Sequence, residues 1–524
     1  MNYDFLEDNK KFWITAIALA SAILFFALAF STLNDWIKFG LIVLELGASG
    51  VLLGRLSGQE HFYGVILVRG VAGFKEMRYV SKHYAQLSKD LADFGLTLGY
   101  GVFYGLHLYG LGKKLLLHFA GLLVFYALFL LQPTLVDGLL MAAIGTVTGL
   151  FGIGFYFIAS HAYAVLTIPA TPPGVIPIVP GVTVPWEVVF ALIIVAVVHE
   201  LAHGVLCIVE KMKVKSSGVL LFGILPVGAF VEPDEKQLEK ADVHKQRRIL
   251  GAGSTSNALF FVVFLLFAVA LGQALPLFVQ SVSVKSVLAN STASQILTPG
   301  EVVYSVEVFG ESLGDAYRVS EVEFKTAEQL ALVVYQKGFM ILNTSGGSEK
   351  QVRAIQLEVA SSSNPALAKG DVIYWIGESP IYVHSDVKAA LGSKTAGESV
   401  IVETNTGEKT VQLNSEGKLG ITVLSKQAVE FQSNPFNPFL FGLFYFLLTV
   451  ISFTMALNFI LATINLLPLF LLPTDGQRIF LVELRNSFGR KNGTKLAVAI
   501  GVLCLGLLVI NALPWFIKTL PWLA

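Results

Sequence analysis

The chain has 524 residues, 54% of them hydrophobic and only 14% charged, with 37 basic and 37 acidic side chains in balance. Soluble domains carry about 25% charged residues, so a mean hydropathy of +0.67 excludes a chain built only of such domains. Zero net charge leaves no electrostatic footprint for a nucleic acid partner, and two cysteines, Cys207 and Cys504, both inside apolar runs, exclude a disulfide framework.

Taken in chain order, Lys10 and Lys11 precede an apolar run at 12–34. That run exceeds the apolar core of a secretion leader and lacks a clear cleavage site, so it reads as a retained helix. A spanning helix needs about 20 apolar residues. Further runs of this kind are 115–131, 139–164, 186–209, 249–279, 439–467 and 496–517, with a weaker one at 36–54 that Lys38 and Glu45 interrupt. Residues 96–112, rich in Gly and Tyr, are compatible with a span, a re-entrant turn or an interfacial segment. The polar stretch 74–94 reads as exposed, and 168–185, rich in Pro and Gly, reads as a loop. The chain is thus expected to be a polytopic α-helical membrane protein whose surroundings are the lipid bilayer.

The texture changes between 281 and 432, where β-type stretches alternate with Gly-containing turns and no spanning run occurs. This is expected to be an inserted α+β region. Thr298-Pro299-Gly300-Glu301-Val302-Val303-Tyr304 is echoed by Ala368-Lys369-Gly370-Asp371-Val372-Ile373-Tyr374, 70 residues on, and each copy is followed by a helix-like segment and a pair of strands. The order resembles PDZ domains, and two tandem modules are favoured over one elaborated module. Lysines and arginines mark the cytosolic side. Lys211, Lys213 and Lys215 follow one span, Lys236, Lys240, Lys245, Arg247 and Arg248 precede the next, and Arg485, Arg490, Lys491 and Lys495 come after 439–467. All agree in placing the 281–432 region outside the cytosol.

Within 186–209 lies His199-Glu200-Leu201-Ala202-His203. At 3.6 residues per turn, His199 and His203 share one helix face, so two imidazoles can hold one Zn2+ while Glu200 reaches its bound water. Ionisable groups in hydrocarbon are costly, which argues against an idle role. A catalytic zinc takes three protein ligands and keeps one position open. Asp475 is the outstanding third ligand, because it is the only acidic residue between 436 and 477; an N-cap for the following helix is its alternative role. Lys211 comes eight residues after His203, about 12 Å along the helix, so the site is expected near the cytosolic side. Residues 218–230, apolar and broken by Gly223, Pro226 and Gly228, suggest a non-helical hairpin at membrane depth. Such a segment survives there only if sheltered or lining a cavity. It reads either as an edge that pairs with an unwound substrate or as a plain surface hairpin.

The intramembrane His-Glu-x-x-His, the later Asn465-x-x-Pro468 with Asp475-Gly476, and the PDZ-like region together resemble the site-2 protease family of intramembrane zinc metalloproteases. The resemblance implies that His199, His203 and Asp475 bind zinc and that Glu200 activates water. It also brings Asn257 and Asn465 to positions where family members hold the substrate backbone or the oxyanion; helix packing is the other reading for both. The gap from Asn465 to Asp475 is about two residues longer than the family's and ends Pro473-Thr474-Asp475-Gly476 rather than Leu-Asp-Gly. The resemblance covers roughly 186–257 and 439–485 with the insert between them; the expected division is 186–280 first catalytic part, 281–359 and 360–432 two PDZ-like domains, 433–524 second catalytic part, and 1–185 accessory helices that resemble no assignable family. The implied activity is hydrolysis of peptide bonds in or near transmembrane segments of membrane-protein substrates, in a prokaryotic plasma membrane. The PDZ-like region would bind peptide or act as a size filter on substrate ectodomains. The competing reading is a non-catalytic membrane scaffold that binds peptides through those domains.

Overall fold

The computed structural model describes residues 10–70, 73–131, 135–168, 171–309, 319–472 and 474–519. Pro473, part of the 465–476 segment, and residues 310–318 of the expected first PDZ-like domain lie outside them. Among the described residues, eight helices are long and apolar enough to cross a membrane. The chain divides into two compact units, one formed by Met1–Thr167, Thr171–Val269 and Phe446–Ala524, the other chiefly by Ala270–Tyr445.

In the first unit, α1 (Lys10–Ala29) and α2 (Asp35–Ser57) lead into β1 (Glu60–Phe62) and β2 (Val65–Gly70). The weaker run at 36–54 is thus a full helix, and Glu45 within it accepts a hydrogen bond of 2.6 Å from Ser21 Oγ on α1. A polar partner on the neighbouring helix is what makes a carboxylate tolerable at that depth. Next come α3 (Phe74–His83), α4 (Ala85–Tyr109), α5 (Lys113–Tyr126) and α6 (Leu135–Thr167). Then α7 (Val188–Val209), β3 (Val214–Phe222), β4 (Leu225–Pro233), α8 (Glu235–Lys240) and α9 (Val243–Ala274) follow; α12 (Pro438–Ile464) and α13 (Asp475–Thr519) come after the insert.

Residues 96–112 are not a straight span. α4 folds back at Gly101, whose φ of 86° and ψ of 177° are not helical, so that the hydroxyl of Tyr109 reaches the Asp93 carbonyl at 3.3 Å. α6 breaks likewise at Gly149. The two bends cross: a Cβ on Gly101 would stand 2.1 Å from the Val147 carbonyl oxygen, and one on Gly149 would stand 2.3 Å from the Gly99 carbonyl. Only residues without a side chain allow both the positive φ and this approach.

The polar stretch 74–94, expected to be exposed, is exposed along much of its length, at Lys75, Glu76, Arg78, Lys82, His83 and Asp90 among others, and packs inward at Met77 and Asp93. Met77 is fully buried against Gly204 of α7. Asp93, also fully buried, accepts two hydrogen bonds of 2.7 Å from Arg248 and pairs with Lys114, while Arg248 also bonds Glu210 at 2.9 Å. Asp93 thus anchors a buried ion network that ties α4, α5, the end of α7 and α9 together.

The 218–230 hairpin forms, as β3 and β4, but it does not stand alone. β1 and β2 extend it into a four-stranded antiparallel sheet of order β1-β2-β3-β4, with Val65 opposite Phe222 and Gly70 opposite Ser217. Both edges of β3 are thereby filled, and β4 ends the sheet.

The second unit contains two six-stranded antiparallel sheets. β5 (Val279–Val287), β6 (Val302–Phe309), β7 (Val319–Val322), α10 (Ala327–Lys337), β8 (Phe339–Thr344) and β9 (Gly347–Arg353) are followed by a second run in the same order. That run is β10 (Ile355–Ser362), β11 (Val372–Ile376), β12 (Ser379–Pro380), α11 (His384–Leu391), β13 (Ser399–Thr404) and β14 (Gly407–Gln412), then β15 (Ile421–Gln427) and β16 (Val429–Pro435). One sheet runs β16-β5-β6-β8-β9 and the other β15-β10-β11-β13-β14. Strand 355–362 therefore belongs with the second sheet, and 429–435 returns to the first.

The sequence repeat is repeated chemistry. Thr298 N–H donates to Glu301 at 3.0 Å, and Ala368 N–H to Asp371 at 2.7 Å. Lys350 pairs with Glu301 at 2.7 Å, and Lys409 with Asp371 at 2.6 Å. For Glu301, burial works to raise the pKa, but bonds from Lys350, Thr344 and Thr298 outweigh it and hold the carboxyl at about 2.

Candidate active site

α7 is continuous and apolar, so the two histidines one turn apart emerge on one face, as the spacing requires. His199 Nε2 and His203 Nε2 lie 3.2 Å apart. Asp475, 275 residues downstream of Glu200 in sequence and at the start of α13, brings Oδ2 to 3.4 Å from His199 Nε2 and Oδ1 to 3.4 Å from His203 Nε2. Among the described residues, these three form the group of His, Cys, Asp and Glu side chains that could hold a metal ion. The residues fit zinc on their own geometry. Ligand atoms about 2.0–2.2 Å from a tetrahedral zinc stand roughly 3.3 Å from one another; the two imidazole nitrogens are 3.2 Å apart, Asp475 meets each of them at 3.4 Å through a different carboxylate oxygen, and one ligand atom from each residue lies within 4.8 Å of the others.

The surroundings fix each donor. His203 Nδ1 donates to the Ile249 carbonyl on α9 at 2.7 Å, which turns Nε2 towards the cluster. His199 Nδ1 stands 3.1 Å from the Asn257 carboxamide, and Asn257 is fully buried. As placed, Nδ2 is the atom at that distance and Oδ1 is buried without a partner; with the carboxamide flipped, Oδ1 would accept the Nδ1 proton and leave Nε2 free for a metal. Ser254 Oγ donates to Asp475 Oδ2 at 3.4 Å. Gly253 lies against both imidazoles, since a Cβ there would be 2.3 Å from His199 Nε2 and 2.5 Å from His203 Nε2.

Glu200 faces the sheet. Its Oε2 accepts a 3.0 Å hydrogen bond from the Val231 amide on β4, the strand that ends the sheet. Asn465 contributes through its backbone, whose carbonyl accepts from Gly476 N–H at 2.6 Å. That bond closes the loop between α12 and α13 directly beside Asp475. Within this loop Thr474 Oγ1 donates to the Leu467 carbonyl at 2.9 Å.

Of the six residues singled out from sequence, His199, His203 and Asp475 converge, Asn257 supports His199, Glu200 lies beside β4, and Asn465 anchors the Asp475 loop. Ser254, Gly253, Ile249 and Val231 were not foreseen. Ser254 and Gly253 stand in the segment that carries Asn257, while Ile249 and Val231 act through backbone atoms, which leave no side-chain signature. The α4 bend also reaches this region: a Cβ on Gly95 would be 1.8 Å from Thr255 Oγ1, and the hydroxyl of Tyr100 lies 3.4 Å from the Leu466 carbonyl.

The model of peptidase family M50 matches residues 187–509, a span that holds His199, Glu200, His203, Asn257, Asn465 and Asp475. The chain belongs to peptidase family M50. This is the site-2 protease family, whose proteases are zinc metalloproteases. The chain is also 30% identical over 204 residues to an uncharacterized protein of Methanocaldococcus jannaschii, a match that covers 37% of this chain. It spans about half (51%) of the length of that relative.

Proposed function

We propose that this M50 member is a zinc-dependent intramembrane endopeptidase that hydrolyses peptide bonds in or near transmembrane segments of membrane-protein substrates. The observation that carries the proposal is the convergence of His199, His203 and Asp475, with the two Nε2 atoms 3.2 Å apart and each 3.4 Å from one oxygen of the Asp475 carboxylate, beside a Glu200 carboxylate held by β4. When bound, zinc supplies Lewis acidity to the scissile carbonyl and lowers the pKa of water towards about 7.

The chain's own residues do the rest. Glu200 takes a proton from the attacking water and passes it to the leaving amine. Asn257 holds the His199 tautomer, and the Ile249 carbonyl holds that of His203. Asn465 and Asn257 remain the candidates for contacts to the substrate backbone or oxyanion. A helical substrate must unwind before its carbonyls are accessible. The outer edge of β4 offers backbone groups for an added strand, and Glu200 stands at the Val231 amide of that strand, so an added substrate strand would pass the base. In the second unit, the two repeated sheets are read as PDZ-like modules, one of residues 279–353 with 429–435 and the other of 355–427, which bind peptide or filter substrate ectodomains by size. The site is read as nearer the cytosolic side of a prokaryotic plasma membrane, with the PDZ-like region outside.

The test is cleavage of a panel of single-span membrane proteins by purified enzyme, beside the Glu200→Gln variant. Cleavage by the wild type alone supports the proposal. Cleavage by neither, with substrates whose outer domains have been trimmed, favours a membrane scaffold that binds peptides.

A further inference from the structure

α13 is not one straight helix. At Gly489 (φ 77°, ψ 161°) the helical geometry breaks. A Cβ on Gly493 would stand 2.3 Å from the Leu484 carbonyl oxygen, and one on Gly501 would stand 2.7 Å from Gln477 Oε1. Residues so far apart along a straight helix could not meet, so the chain doubles back as a helical hairpin with Gly489 at its tip. Asp475 begins the first arm, and the apolar second arm is long enough to span.

The tip carries a concentration of unneutralised positive charge. Arg485, Arg490, Lys491 and Lys495 are exposed, and no carboxylate pairs with any of them among the described residues. Two adjoining clefts, of about 480 and 630 Å3, share Arg485 and Arg490 in their walls. The first lies between α8, the start of α9 and the first arm, and the second runs along the second arm. Arg485 is pre-positioned across the bend, because its Nε donates to Thr494 Oγ1 at 2.9 Å while Thr494 donates to the Arg490 carbonyl at 2.6 Å. The terminal nitrogens of Arg485 are left to face the cleft. Arg478, in the same wall, is already engaged by Glu235 at 2.6 Å.

A planar guanidinium fork with two free nitrogens matches a phosphate. The first cleft mixes Leu481 and Val482 with Glu235, Glu239, Gln246 and Asn486, whereas the second, along the second arm, adds the apolar Val498 and Ala499 and the basic Lys491 and Lys495. Beside the bend, Phe488 and Leu496 expose 57% and 40% of their surface. Exposed apolar and exposed basic side chains at the end of a spanning helix are the composition of a bilayer interface, where the phosphates at hand belong to lipids. We propose that this cleft binds the headgroup of an anionic phospholipid, with Arg485 and Arg490 on the phosphate and the acyl chains along the second arm of α13. The site is separate from the His199–His203–Asp475 cluster and does not depend on what that cluster catalyses.

The test uses the full chain in mixed phosphatidylglycerol–phosphatidylcholine nanodiscs, with retained lipid counted by native mass spectrometry after release into detergent. Three forms are compared: wild type, Arg485→Gln/Arg490→Gln, and a charge-matched control, Lys236→Gln/Lys240→Gln, on the neighbouring α8. Zinc content reports that each variant keeps its fold. The expected result is selective retention of phosphatidylglycerol by wild type and control, and a loss of about tenfold or more in the arginine variant. Equal retention by the arginine variant would overturn the proposal, as would an equal loss in the control, which would mean diffuse charge attraction. Displacement of the lipid by inorganic phosphate alone would overturn it in favour of a soluble phosphate site.

Discussion

Gly253 presents its bare Cα to the imidazole of His199, where a methyl group would sit 2.3 Å from both Cε1 and Nε2. α9 thus approaches the ligand face of α7 as closely as a backbone can. Replacement by alanine forces the imidazoles away from Asp475. Gly253→Ala is expected to weaken zinc binding by about 10–100-fold, the cost typical of a disturbed outer shell. Competition with a zinc chelator measures it.

Asn257 and Ser254 support the donors from α9 without belonging to the cluster. Asn257→Ala removes the partner of His199 Nδ1, and zinc affinity is expected to fall by about 10–100-fold. Asn257→Asp keeps an acceptor at that nitrogen and should recover most of the loss. Should the alanine variant bind zinc normally but cleave slowly, Asn257 would act on the substrate rather than on His199.

The crossing at Gly101 and Gly149 sets the position of α4 against the catalytic helices. Gly101→Ala combines a positive φ with a contact of 2.1 Å to the Val147 carbonyl. Strain of this kind costs roughly 1–3 kcal/mol, before any displacement of α6. A lowered thermal unfolding midpoint in detergent is the expected outcome; an unchanged midpoint would mean that the bend relaxes freely.

Glu301 gives the second unit a defined acid sensitivity. Its carboxyl is held at about 2, against about 4.3 for an unfolded glutamate. A depressed folded pKa contributes stability that is present above the unfolded value and lost as pH falls from about 4.3 towards the folded value of about 2. Hydrogen exchange of the Thr298 amide, which donates to Glu301, should speed up relative to its intrinsic rate over that window. Lys350→Met removes the ammonium partner, raises the folded pKa, and should narrow that window and shrink the acid-induced change.

The parts of this molecule that were legible in sequence are those encoded by local periodicity. The two histidines on α7 follow from a four-residue spacing, and Asp475 follows from being the lone acid in a long apolar stretch. The bend at Gly149 was hidden, because it sits inside the apolar run 139–164 whose composition reads as plain helix, whereas Gly101 falls in 96–112, for which a re-entrant turn was one of the readings. β1 and β2 were missed because their pairing with β3 joins residues about 150 positions apart, which no local pattern reveals. Within the polar stretch 74–94, much of it exposed as its composition suggests, Asp93 is the exception: it is charged, yet fully buried, because Arg248 and Lys114 come to it from distant helices. In the insert, the repeat was visible in the turns, but the return of β16 to the first sheet was not.

The most direct test of the account is zinc stoichiometry, measured by elemental analysis of the purified full chain in four forms. Wild type and Glu200→Gln are predicted to carry one zinc per chain, while His199→Ala and Asp475→Ala carry almost none. Zinc retained in Asp475→Ala would contradict the site, since the third donor would then come from elsewhere. Loss of zinc in Glu200→Gln would equally contradict it, by making Glu200 a ligand rather than the proton acceptor beside the metal.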